Sequence, residues 1–224
     1  MMKMKKIIAL AAAVFMILSL ASCKITFTNK KTCTGDENIH ATVNGNVEIT
    51  TQEIKYFKNR LRADIINEYA RDYGVTDFSD FWDKEFDGHT PTEALNDRAV
   101  EEAADAKLKL LLMQENGVYD DISFDGLKKR AEAYNAEHEN AVGTVGIKTI
   151  DMESFYTYYI STGEMELKNI LAEGELKPTE EEIAEAAKQQ PDLTENEIVS
   201  RLVDDKYNAY IVENVDNRTV HIEY

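Results

Sequence analysis

The chain has 224 residues, and its 42 acidic residues outnumber its 25 basic residues, so the formal net charge is -17 at pH 7. Such an acidic chain lacks the concentrated basic face that binds phosphate groups, which argues against nucleic acid as a partner. The 3 prolines and 10 glycines are too few for a collagen-like chain or a turn-dense β-sandwich. The composition therefore favours a mostly helical, acidic domain.

The first residues predict export from the cytoplasm. Three lysines among the first six residues precede a continuous apolar run at residues 7–21, which is shorter than the about 20 residues that a membrane-spanning helix needs. This pattern predicts a signal sequence over residues 1–22. The segment Leu20-Ala21-Ser22-Cys23 resembles the lipobox of bacterial lipoproteins. The resemblance implies that Cys23 carries a lipid and anchors the protein to the membrane outside the cytoplasm; the alternative is a secretory leader in which this cysteine is accidental.

Residues 23–38 are mostly polar and predict a flexible spacer after the lipidated cysteine. Cys33 is the only other cysteine, so no intramolecular disulfide framework is expected, and we assign it no role. Residues 39–224 are then expected to form one domain.

That domain is predicted to begin and end with a strand around a helical body. Apolar side chains alternate up to Val43 and again from Val220, and four Thr-x-x-Glu capping boxes mark helix starts between them. Because an isolated strand leaves backbone groups unpaired, we expect Val43 and Val220 to lie in adjacent strands. Gly163 is expected to weaken or kink the fourth helix. Six helices are predicted, over about 51–73 and 91–116, from near 123, from near 151, from about 180 to before 191, and from about 195.

Two segments resemble the SurA/PrsA group of extracytoplasmic foldases. One is Ala41-Thr42-Val43-Asn44-Gly45-Asn46-Val47-Glu48-Ile49-Thr50-Thr51-Gln52-Glu53, and the other is Glu175-Leu176-Lys177-Pro178-Thr179-Glu180-Glu181-Glu182-Ile183. A closing helix followed by a strand near residues 219–223 completes the likeness. It implies a mainly helical module, related to the peptide-binding part of trigger factor, that binds unfolded or nascent secreted polypeptides without ATP.

Most members of that family carry an inserted parvulin prolyl isomerase domain, which would lie near residues 190–194 of this chain. The 46 residues from Thr179 onward are all used by the last two predicted helices and the final strand, so the isomerase is expected to be missing. The sequence has no GxSxG, P-loop, GxGxxG or HExxH motif, and its four histidines are far apart. No catalytic residue, metal site or cofactor is predicted.

Aromatic side chains are the candidates for binding unfolded chains, because their amphipathic surface adapts to many sequences. The alternative is that these rings fill the core, since amphipathic helices must bury a stripe of side chains. A cleft beside Trp82 would favour the binding role. The candidate peptide-binding residues are Tyr56, Phe57, Phe81, Trp82, Phe86, Tyr156 and Tyr159.

These observations lead to three hypotheses. The first is a lipid-anchored extracytoplasmic chaperone that holds unfolded secreted polypeptides in an apolar cleft. The second is a lipoprotein that docks on one specific envelope partner. The third is a prolyl isomerase-related protein with residual activity.

Overall fold

The computed structural model describes residues 26–28, 39–43, 47–139, 149–215 and 218–223. The predicted signal sequence, Cys23 and most of the predicted spacer lie outside these ranges.

A four-stranded sheet joins the two extremities of the domain. Its strands are β1 (Thr26–Thr28), β2 (His40–Val43), β3 (Val47–Ile49) and β4 (Thr219–Glu223), in the spatial order β1-β4-β2-β3. Strands β2 and β4 are antiparallel, and Val43 lies opposite Val220. The predicted pairing of the N-terminal and C-terminal strands is therefore confirmed.

Strand β1 falls inside the segment that the sequence predicted to be a flexible spacer. It runs parallel to β4, with Phe27 opposite Val220. Phe27 also packs, partly buried, against the core. The spacer prediction is wrong for these three residues, because one apolar ring and an open sheet edge are enough to order a short polar segment.

Six helices make up most of the described chain, which confirms the mainly helical fold. They are α1 (Thr51–Tyr73), α2 (Pro91–Glu115), α3 (Phe124–Glu139), α4 (Met152–Glu173), α5 (Glu180–Gln189) and α6 (Glu195–Val215), with a short 3₁₀ helix at Phe81–Asp83. No described helix combines the length and the apolarity that crossing a membrane requires.

The capping boxes explain why the helices begin where they do. At the start of α1, the Thr50 hydroxyl accepts a hydrogen bond from the Glu53 backbone N–H at 3.2 Å, and the Glu53 carboxylate accepts one from the Thr50 N–H at 2.8 Å. Similar reciprocal bonds start α2 at Thr90, α5 at Thr179 and α6 at Thr194. Each box satisfies backbone donors that the first turn of a helix leaves unpaired.

Helices α1 and α2 form the antiparallel centre of the fold. Ion pairs join them at Glu53–Lys107, Arg60–Glu102 and Glu68–Arg98, so residue numbers rise along one helix as they fall along the other. The Glu53–Lys107 pair is 2.5 Å long, and each side chain is only 2% exposed. Lys107 Nζ also donates to the Ile122 carbonyl at 3.1 Å. A buried charge needs such partners because it has lost its contact with water.

Helix α4 packs closely on α2 at Gly163. A Cβ at this position would lie 2.5 Å from Met113 Sδ and 2.7 Å from the Tyr119 ring. Helix α4 continues through Gly163 from Met152 to Glu173. The absence of a side chain at Gly163 therefore allows Met113 and Tyr119 to approach the helix closely.

The last two helices form a hairpin that extends from this body. We call residues 180–203 the arm. No residue of α5 is buried, and the buried Ile198 and Val203 of α6 lie outside the main core cluster. Residues 190–194, where the family resemblance would place an isomerase domain, connect α5 to α6.

Candidate functional site: a groove between three helices

A groove of about 290 Å³ lies where α1, α2 and α4 meet. Tyr56, Phe57 and Tyr156, three of the seven predicted peptide-binding residues, line it together. The spacing of its lining residues follows the helical repeat, which places positions i, i+1 and i+4 on one face. The other lining residues are Arg60, Glu102, Asp105, Ala106, Lys109, Thr157, Ile160 and Ser161.

The aromatic part of the groove is a cluster of three rings. The Tyr56 ring centroid lies 4.9 Å from those of both Phe57 and Tyr156, and Phe57 meets Tyr156 edge-on at 5.6 Å. The Tyr56 hydroxyl donates to the Glu153 backbone carbonyl at 3.1 Å, which fixes this half-buried ring across the gap between α1 and α4. Phe57 and Tyr156 are buried, so Tyr56 supplies most of the exposed aromatic surface of the cluster.

Charged side chains form the rest of the wall. Arg60 pairs with Glu102, and Lys109 Nζ lies 3.1 Å from Asp105 and 3.2 Å from Glu164. Burial opposes the charge on Lys109, but the two carboxylates outweigh it and the pKa of Lys109 is raised. The groove therefore combines an aromatic surface with the Lys109 ammonium, whose charged form these carboxylates favour, and with the Arg60–Glu102 pair.

The tyrosine hydroxyls offer no group that would exchange protons near neutral pH. Burial raises the pKa of Tyr156 well above its usual value, and the nearby Glu53 carboxylate raises it further. Burial also raises the pKa of Tyr159. Both hydroxyl oxygens are buried, and no other described residue forms a hydrogen bond with them. The Tyr156 hydroxyl at the groove therefore stays protonated near neutral pH.

The other predicted binding residues lie elsewhere. Phe81, Trp82 and Phe86 gather at the far end of α1, around Tyr69. Tyr69 is thirteen residues after Tyr56 on the same helix, which corresponds to about 20 Å along the axis. The candidate aromatic residues therefore form two groups of three, in the groove and near Tyr69, and Tyr159 belongs to neither group.

Trp82, beside which a cleft would have favoured the binding role, packs against neighbouring side chains. The Arg62 guanidinium lies 4.4 Å from the Trp82 ring centroid, and the Phe81 ring centroid lies 5.0 Å from it. The Trp82 carbonyl accepts a hydrogen bond from the Thr92 hydroxyl at 2.8 Å. Trp82 therefore ties the segment before α2 to both central helices.

Burial separates the seven candidates further. Trp82, Phe86 and Tyr56 are partly buried, and the other four are buried. Tyr159 stacks on Tyr119 with centroids 4.0 Å apart. The alternative that these rings fill the core is thus correct for the buried four, which are Phe57, Phe81, Tyr156 and Tyr159.

The sequence did not identify the charged wall of the groove. Arg60 and Lys109 look like ordinary exposed positions on amphipathic helices, and the sequence alone does not show which helices adjoin. The signal in the sequence that could have indicated this groove lies on α4. Tyr156 and Ile160 are four residues apart, and Thr157 shares their face of the helix.

No protein-family model, curated protein or solved structure matches this chain. Within the described ranges, no group of three or more His, Cys, Asp or Glu side chains is arranged to hold a metal ion.

Proposed function

We propose that this protein is a lipid-anchored extracytoplasmic chaperone that holds unfolded or nascent secreted polypeptides without ATP. The groove between α1, α2 and α4 would be its binding site. The observation that carries the proposal is the half-buried Tyr56 in a groove that also holds charged side chains and whose floor is formed by the buried Phe57 and Tyr156.

This mixture suits a sequence-tolerant site. Tyr56 presents a ring with a polar edge, and Ile160 adds an aliphatic contact beside it. Arg60 and Lys109 could donate hydrogen bonds to backbone carbonyls or acidic side chains of an extended segment, since each carries more donors than its ion pairs use. Contacts of this kind would bind short apolar segments weakly and release them quickly.

The anchor is proposed from the sequence. The lipobox-like segment that ends in Cys23 follows a basic start and an apolar run in the expected order. A lipid on Cys23 would hold the groove near the site where exported chains emerge. The resemblance to the SurA/PrsA group supports the same role.

The test is suppression of the aggregation of an unfolded client by the fragment that begins at Lys24. Ser161 is exposed and lines the groove, so Ser161→Trp should fill it and abolish protection. Asn169 is exposed on the same helix outside the groove, and Asn169→Trp serves as the matched control.

Protection that survives in Asn169→Trp but not in Ser161→Trp supports the proposal, provided that both variants keep their helical circular dichroism. Equal protection by both variants would exclude this groove as the binding site. No protection by the unmodified fragment at several-fold excess would exclude a holding function.

A further inference from the structure

The chain between the proposed lipid and the folded domain is very short. Strand β1 begins at Thr26, only three residues after Cys23. A polypeptide extends by at most about 3.6 Å per residue, so the two Cα atoms lie within about 11 Å of each other in any conformation of the intervening residues.

The register of the sheet shows which end of the domain lies nearest this point. Thr26 lies beside Thr219, and Val43 faces both Val220 and Val47. The starts of β1, β3 and β4 and the end of β2 therefore lie together, and we call them the proximal end of the sheet.

Arg218, next to the proximal end of the sheet, bonds the ends of α2 and α6. The Arg218 guanidinium binds the Glu115 carboxylate at the end of α2 through two contacts of 3.0 and 2.6 Å, and Arg218 Nε donates to the Asn214 carbonyl of α6 at 2.8 Å. A bidentate pair of this kind restricts the orientation of both partners. The proximal end is thus joined firmly to the helical body.

The tip of the arm lies at the start of α6, and the proximal end of the sheet lies at the end of α6. This helix ends at Val215, whose carbonyl accepts a hydrogen bond from the Arg218 N–H at 3.2 Å. It has 21 residues and is therefore about 30 Å long. The connection at residues 190–194 thus lies about 30 Å from the proximal end.

We infer that the proximal end of the sheet faces the lipid bilayer and that the arm projects away from it. The inference rests on the proposed lipid on Cys23. Charge supports the orientation, because the arm carries seven acidic and two basic residues. A bilayer that contains anionic lipids repels such a segment within a few Debye lengths.

This arrangement differs from the one that a spacer over residues 23–38 would produce. A flexible tether of that length has a root-mean-square extension of about 20 Å and leaves the domain free to tumble. A tether of three residues holds one particular end of the domain at the membrane. The distances of different sites from the bilayer therefore distinguish the two arrangements.

The experiment places one fluorescent label on the full lipidated protein, in a Cys33→Ser background. The label is attached at Thr219→Cys, in the proximal end, or at Asp192→Cys, in the arm; both native side chains are exposed. Energy transfer to acceptor lipids is measured in vesicles of phosphatidylethanolamine and phosphatidylglycerol. Val212→Cys, also exposed, replaces Thr219→Cys if the latter does not fold.

We expect the label at residue 219 to lie closer to the headgroups than the label at residue 192 by about 20–30 Å. A flexible Gly/Ser insertion before Ile25 should move the 219 label outward and reduce that difference. Equal distances, or a closer label at residue 192, in protein whose lipid is confirmed by mass spectrometry would overturn the inference and leave the proposed anchoring intact. Protein without a lipid on Cys23 would overturn both.

Discussion

The packed core around α1 and α2, which we call the body, and the arm each contain an ion pair between a capping-box glutamate and a lysine. The two pairs differ in burial. In the body, Glu53 closes the capping box of α1 and pairs with Lys107 at 2.5 Å, with both side chains 2% exposed. At the base of the arm, Glu182 closes the capping box of α5 and pairs with Lys206 at 2.8 Å, with the side chains 39% and 29% exposed. Burial therefore determines what each pair contributes, because water screens the second and not the first.

The largest expected effect comes from breaking the buried pair. Lys107→Met would leave the Glu53 carboxylate without a counter-charge in the core, which typically costs about 3–5 kcal/mol. Urea unfolding of the variant should therefore show a large fall in the free energy of unfolding.

A double variant separates the charge from the packing. Glu53→Gln keeps a side chain that can complete the capping box, so Lys107→Met with Glu53→Gln should recover much of the stability. Lys206→Met, the matched change at the arm, should have a far smaller effect. A similar loss in Lys107→Met and Lys206→Met would contradict the contrast between the two regions.

A smaller effect is expected from filling the contact at Gly163. Gly163→Ala places a Cβ against Met113 and Tyr119, and overpacking of this kind costs about 1–3 kcal/mol even though alanine favours a helix. Asn169→Ala is the control, because Asn169 is exposed on the same helix and the change removes side-chain atoms without adding any at a packed contact. Thermal unfolding that ranks the two variants equally would show that α4 and α2 are not packed so closely.

The smallest effect concerns the protonation of the Glu182 carboxylate in the arm. The hydrogen bond from the Lys206 ammonium, with that from the Thr179 N–H, lowers the pKa of the Glu182 carboxyl from 4.5 to about 2. Because the folded-state pKa is lowered, the contribution of this carboxylate is complete above about pH 4.5 and is lost as the pH falls toward 2.

Carboxyl resonances followed by NMR should give Glu182 a midpoint near 2 in the folded protein. Lys206→Ala should move that midpoint upward, since it removes the largest cause of the shift. An unshifted midpoint in the unmodified protein would mean that the pair is not formed in solution.

Local signals predicted much of this fold. The Thr50, Thr90, Thr179 and Thr194 caps placed four helix starts, because capping depends on residues only three positions apart. The pairing of Val43 with Val220 was also predictable, since two isolated strands at opposite ends of a chain have few other partners.

The site depends on longer-range information. Tyr56 and Trp82 both look like exposed aromatic candidates, but the antiparallel pairing of α1 and α2 places only Tyr56 in the groove. Lys107 interrupts an apolar series, and no neighbouring residue in the sequence indicates that the Glu53 carboxylate lies opposite it. Strand β1 was missed because three residues carry too little periodicity to predict a strand.

Photo-crosslinking to an unfolded client tests the central claim most directly. A benzoylphenylalanine at Thr157, which is exposed at the groove, is compared with one at Asn169, which is exposed on the same helix outside it. We predict that the client crosslinks to residue 157, that excess unlabelled client competes, and that residue 169 gives only background. Equal crosslinking at both positions, or none at residue 157, would contradict the assignment of the groove as the binding site.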